Sequence, residues 1–197
     1  MVNRDTDGFD VEGILSFWYG APGSSEFGTF REIWFRKDPQ FDQEIRVRFG
    51  DVVESALRGE LRTAARKPRP ALAEIICLDQ FTRNVYRDDP RAFSGDINAV
   101  RAARLAIERG HPAQLTLLEQ KFLFMPLMHS ESLEDQELSL EQYGRLRVEF
   151  GLEETFKFAQ EHYDAIKQFG RFPYRNKVLG RDSTAEEEAF LRATAHS

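Results

Sequence analysis

Between Asp38 and Gly59 the apolar residues fall at Phe41, Ile45, Phe49, Val52, Val53, Ala56 and Leu57. Steps of three and four gather these side chains on one side of a helix, and a strand, which needs strict alternation, has no use for them. The ends are marked as well. Asp38 can accept the free N–H groups of a first turn, Pro39 suits the first helical position, and Gly59 is a natural stop. The same grammar recurs along the chain. Val11–Tyr19 is closed by Gly20-Ala21-Pro22, and a helix opens at Pro70 with Leu72, Ile75, Ile76 and Leu78. Another runs from Ser94 to Arg109 before Gly110 and Pro112, and another covers Thr116–Met128, bent or ended at Pro126. Ser132 with Asp135 reads as a capping box for a helix closing at Gly151. Glu153–Phe169 ends at Gly170, and Ser183 with Glu186 reads as a second capping box for a last helix through Leu191. No segment alternates between turn pairs, so the fold class is all-α, with about 8–10 helices joined by short connections as antiparallel hairpins. The hairpins suggest a repeat-like stack without a clean repeat of about 34 residues.

A chain of 197 residues suits one domain with a real core. It reads as a polar tail over residues 1–10 and a single helical domain over 11–197. With 17 phenylalanines, that core should be built largely of aromatic contacts. The net charge of −6 argues against general affinity for nucleic acid or anionic membrane. The single cysteine, Cys77, permits no internal disulfide and fits a reducing compartment. No apolar run approaches a membrane span, and Met1–Asp10 is too polar and acidic for a secretion signal, so the expected location is the cytoplasm.

Four stretches are more polar than their positions require. On the helix from Pro70, Asp79 projects onto the arc of Leu72, Ile75 and Ile76. Arg83, four residues on, can pair with it, and Gln80 and Asn84 lie beside them. An ion pair that pins a neighbouring helix and the wall of a polar pocket are both open readings. His129 and Glu131 follow Met125-Pro126-Leu127-Met128 and can pair with each other or cap neighbouring helix ends. His162 falls within the apolar arc of its helix, as a satisfied core histidine or as a general acid or base at a cleft. Arg171, Arg175, Asn176, Lys177 and Arg181, interleaved with Phe172 and Tyr174, precede a helix N-terminus. They suit either an anion clamp or a set of partners for Asp79, Glu131 and other acids.

Other chemistries lack their residues. There is no phosphate-binding glycine loop, no nucleophile elbow and no cluster of metal ligands, so no metal and no cofactor is expected. His129-Ser130-Glu131 has the H-x-E of zinc deaminases, but a chain with one cysteine cannot supply the P-C-x-x-C that must accompany it. Arg58, Arg62, Arg66, Lys67 and Arg69 read as a solvated edge rather than a nucleic-acid surface.

Four segments in order carry a resemblance: Ile14-Leu15-Ser16-Phe17-Trp18-Tyr19-Gly20; Leu78-Asp79-Gln80-Phe81-Thr82-Arg83-Asn84; Met125-Pro126-Leu127-Met128-His129-Ser130-Glu131; and Phe169-Gly170-Arg171-Phe172-Pro173-Tyr174-Arg175-Asn176 with Leu179-Gly180-Arg181. Through them the chain resembles, from about Val11 to Leu191, the bacterial family labelled domain of unknown function 924. The resemblance implies an all-helical fold like that of tetratricopeptide-repeat proteins and implies no activity. The family pattern usually has Pro at the place of Thr82, which implies a break or restart of the helix there, and His at the place of Tyr174. Three functions remain open. The first is a binding module for a protein or peptide. The second is an enzyme or binder of a small anionic ligand, with Asp79, Gln80, Arg83, Asn84, Arg171, Arg175, Asn176 and Arg181 as ligand-binding candidates. His129, Glu131 and His162 are its catalytic candidates. In the third, the polar set only holds helices in register.

Overall fold

The computed structural model describes residues 9–61 and 67–194. Most of the polar tail expected over residues 1–10, and Arg62 and Arg66 of the basic stretch, lie outside the described residues. Among these residues the chain is all-helical, with eight helices, several short 3-10 turns and no strand. It divides into two compact units, one of residues up to 87 with 91–126, the other of 88–90 with 127 onward.

In the first unit, α1 is Val11–Tyr19 and α2 is Pro39–Leu57. Helix α3 runs continuously over residues 68–85, as α-helix at Pro68–Ile75, π-helix at Ile76–Phe81 and α-helix again at Thr82–Val85. Helix α4 is Asp96–Glu108. Asp38 caps α2 as its position suggests, accepting from the N–H groups of Gln40 and Phe41 at 3.0 Å. The α3 helix opens two residues before Pro70, and α4 opens at Asp96 rather than Ser94, whose hydroxyl instead donates back to the Arg91 carbonyl. Helices α1, α2 and α4 all pack on α3. Its residues Ala71, Leu72, Ala73, Ile75, Ile76, Cys77, Leu78 and Phe81 are fully buried, so α3 is the central rod of this unit. The aromatic core foreseen from composition is here: Trp18 stacks on Trp34 with centroids 5.8 Å apart, and Phe122 meets Trp34 edge-on at 4.8 Å.

The π turn has a local cause and a local consequence. The Thr82 N–H reaches back five residues to the Cys77 carbonyl, while its hydroxyl donates to the Leu78 carbonyl at 2.8 Å. Gly95 closes on that same oxygen. A Cβ on Gly95 would lie 2.2 Å from it, so only glycine lets the start of α4 approach α3 this closely.

The chain passes into the second unit within α5 (Leu117–His129). Pro126 does not end this helix, which continues through His129. Helices α6 (Leu133–Phe150) and α7 (Glu153–Phe169) form a tight antiparallel hairpin across Gly151, whose φ of +71° is the left-handed turn a glycine takes readily. A 3-10 turn at Pro173–Arg175 and helix α8 (Ala185–Thr194) follow. Phe172, Ala165 and Ile166 form a small core, with Phe190 of α8 packed on it.

Both capping boxes read from the sequence are corrected. Ser132 is the N-cap of α6 but makes no side-chain capping bond, and Asp135 accepts from Ser130 Oγ at 2.6 Å. The last helix is capped one residue later than expected. The Thr184 N–H donates to Glu187 at 2.7 Å and the Glu187 N–H to Thr184 Oγ1 at 3.2 Å, so the box is Thr184–Glu187 rather than Ser183–Glu186.

Candidate functional site

In the first unit, Asp79 is fully buried and pairs with Arg83 one turn on, at 3.2 Å. Arg83 also donates to the Asp79 carbonyl, and its other nitrogen reaches Asp96, in the first turn of α4, at 3.0 Å. One guanidinium thus ties two carboxylates on two helices, in the manner of a register pin. Gln80 donates to Asp79 and also lies 3.2 Å from Met125 Sδ.

Asn84 leaves this group. It donates to Asp42 on α2 at 2.8 Å, and Arg87 grips the same carboxylate with two bonds, at 2.5 and 2.6 Å. Asp42 is buried and was not foreseen. The signal was present, since Asp42, Ile45, Phe49, Val53 and Ala56 step by three and four, which places an acid on the buried stripe of α2.

In the second unit, Glu131 pairs with Arg181 rather than with His129. Two bonds at 2.7 and 2.9 Å join them, and the Phe172 N–H donates to the same carboxylate at 2.8 Å. Burial works against the Glu131 charge, but Arg181 and the Phe172 N–H outweigh it and hold its carboxyl below the ordinary range. Arg181 also donates to Asn176 Oδ1 at 2.9 Å and to the Phe172 carbonyl at 3.1 Å.

Arg171 grips Glu187 with two bonds, at 2.6 and 2.8 Å, and Asn176 reaches the same acid at 3.3 Å. Arg171 first, then the Thr184 N–H, lower the Glu187 pKa to about 2. Glu187 stands in the first turn of α8. Its value as a partner follows from lying on the inner side of α8, where it is buried. Arg171, Arg181, Asn176 and Glu131 therefore answer acids and bases of their own unit.

His162 stands apart. It is half-buried, and its Nδ1 lies 2.8 Å from the Phe158 carbonyl one turn earlier. A carbonyl only accepts, so Nδ1 carries the proton and Nε2 of the neutral ring is left as an acceptor. Burial first, and then the charge of Arg175, push the His162 pKa down against the pull of the Phe158 carbonyl. Its ring meets Phe172 edge-on at 5.4 Å and lies 6.3 Å from that of His129. The buried Arg175 guanidinium sits 4.7 Å over Phe172 and 5.8 Å from Tyr174, and donates to the His129 carbonyl at 2.8 Å.

Among the described residues, no group of three or more His, Cys, Asp or Glu is arranged to hold a metal ion. No helix among them is long and apolar enough to cross a membrane. In the basic stretch, Arg58 pairs with Glu60 at 2.6 Å, and Arg69 bridges Glu12 and Glu119 at 2.7 and 2.9 Å.

A family model described as bacterial protein of unknown function (DUF924) matches residues 14–195. A solved structure of a protein of unknown function from Agrobacterium tumefaciens is 31% identical, with a TM-score of 0.80, covering 92% of this chain and 96% of that one. Comparison with curated proteins finds no match. With nearly the whole chain matched, the protein belongs to the DUF924 family of bacterial proteins of unknown function.

Proposed function

We propose that the protein is a binding module of the tetratricopeptide kind, working in the cytoplasm, which captures a short peptide carrying an apolar side chain next to a carboxylate. One observation carries this reading. Phe27, Phe30 and Phe35, all on the segment between α1 and α2, are more than half exposed, at 54%, 60% and 58%. Phe30 and Phe35 stack on each other with centroids 5.9 Å apart. The Lys121 ammonium lies 5.7 and 5.5 Å from the same two rings, and burial pushes its pKa down. A carboxylate arriving beside it would favour the charged ammonium that burial disfavours.

The size of the face argues for a peptide rather than a second copy of the chain. Three half-exposed phenylalanines offer on the order of 300 Å² of apolar surface. A stable protein–protein interface needs about 800 Å² from each partner. At about 25 cal/mol per Å², full coverage returns roughly 7 kcal/mol, and association costs consume much of that, which leaves a weak and transient complex. The buried single cysteine supports the cytoplasmic reading.

The test is to pan a random displayed-peptide library against the wild-type protein and the Phe30→Ser/Phe35→Ser double variant, with both shown to be folded by circular dichroism. Enrichment of sequences with Asp or Glu beside Leu, Phe or Met, lost in the double variant, is the expected result. Equal enrichment on both proteins, or enrichment of basic sequences, would refute it.

A further inference from the structure

The polar groups of the second unit divide unevenly. Glu131, Arg171, Asn176, Arg181 and Glu187 are committed to one another, whereas His162 Nε2 has no hydrogen-bond partner among the described residues. This nitrogen is neither idle by geometry nor free to turn. The Phe158 carbonyl fixes the ring tautomer and with it the direction in which Nε2 accepts. Phe172 is the shared neighbour of His162 and Arg175, which brings an acceptor nitrogen and a guanidinium to the same aromatic ring. Tyr174 stacks on Phe172 at 5.2 Å and is itself half exposed, so the cluster has an open aromatic edge.

These groups define a narrow chemistry. A guanidinium favours an oxyanion and repels a metal cation. A neutral acceptor nitrogen needs a donor, so the oxyanion must carry an O–H. Sulfate and carboxylates have none at neutral pH, whereas inorganic phosphate and the singly protonated form of a phosphate ester do. We propose that His162, Arg175 and the rings of Phe172 and Tyr174 form a binding site for a phosphate group that retains a proton. The phosphate oxygens face the guanidinium, the phosphate O–H donates to His162 Nε2, and Tyr174 offers a ring face to whatever the phosphate is attached to.

The experiment uses the full chain and follows the histidine Cε1–H resonances by NMR at pH 7, with His162 assigned through His162→Gln. Inorganic phosphate, phenyl phosphate and sulfate are titrated at matched ionic strength. Phosphate should move the His162 resonance saturably and bind at least about tenfold more tightly than sulfate, the cost of one hydrogen bond left unmade. The neighbouring His129 resonance should respond in the wild-type protein and lose that response in His162→Gln. Tighter binding of phenyl phosphate assigns the site to an ester, and equal or weaker binding assigns it to free phosphate. Equal responses to sulfate and phosphate, no saturable response to either phosphate, or an undiminished His129 response in the variant would each overturn the proposal.

Discussion

Replacing Arg83 by alanine tests whether the motif around Asp79 is a structural pin. The substitution removes the cationic partner that Asp79 meets at 3.2 Å and Asp96 at 3.0 Å. Asp79 is fully buried, whereas the Arg83 side chain is 22% exposed. Breaking a buried ion pair by removing one partner costs about 3–5 kcal/mol, and the water that reaches Arg83 puts this case at the lower end, about 3 kcal/mol. For a chain of this size each kcal/mol lowers the melting temperature by about 2–4 °C, so a drop of roughly 6–12 °C is expected. Differential scanning calorimetry on wild type, Arg83→Ala, Asp79→Asn and the double variant gives the coupling directly. The cycle should show the second substitution costing clearly less once the first is in place. A single-variant loss below about 1 kcal/mol, or strict additivity, would mean that the pair is not a pin and that the motif must be explained by something other than stability.

Three further outcomes follow from the same geometry. Glu187 should make the second unit acid-sensitive. A carboxyl held near about 2 contributes stability above its unfolded pKa and loses it as pH falls from about 4.5 toward 2, so Glu187→Gln should flatten the melting-temperature profile over that window. His162 is depressed, so its protonation favours the unfolded chain and stability falls as pH drops below the ordinary histidine value of 6.5. NMR titration should place its pKa below that value, and a value above it would refute the burial argument. Gly95→Ala should destabilise by about 1–3 kcal/mol through overpacking against the Leu78 carbonyl, measured by urea denaturation; a neutral result would mean that α4 can back away from α3 at no cost.

The helices were legible because their signals are local. Asp38-Pro39 before an apolar stripe, and Gly110, Gly151 and Gly170 after one, each report a turn of chain that needs no distant partner. The partners of the polar residues were harder to read, because an arginine's choice of acid is made in three dimensions. Arg171 lies sixteen positions from Glu187 and Arg181 fifty from Glu131, and nothing in their spacing distinguishes these pairs from others. The π turn compounds the difficulty on α3. Its five-residue step shifts the helical phase between Ile76 and Phe81, so residues beyond it face other neighbours than a regular wheel predicts, and Asn84 turns to Asp42 rather than joining Asp79. Asp42 itself was hidden by its surroundings, since a helix wheel read for apolar residues passes over the acid standing among them. The exposed Phe30 and Phe35 were invisible for the opposite reason: a phenylalanine outside the helical pattern looks like any other core residue until the fold shows which rings are left outside.

The dependence of the arginine-rich loop on Glu187 bears on the order in which the chain acquires its structure during synthesis. Arg171 and Asn176 both bond to an acid that the ribosome adds later, and the Thr184 cap closes only on the same residue. The α6–α7 hairpin can pair across Gly151 while translation continues, but its Ala165 and Ile166 gain their core partners only with Phe172 and Phe190. The loop beside it must wait until Glu187 has emerged from the exit tunnel. Until then Arg171 and the Asn176 amide lack that acid, and the loop between α7 and α8 gains its grip only once the first turn of α8 has formed.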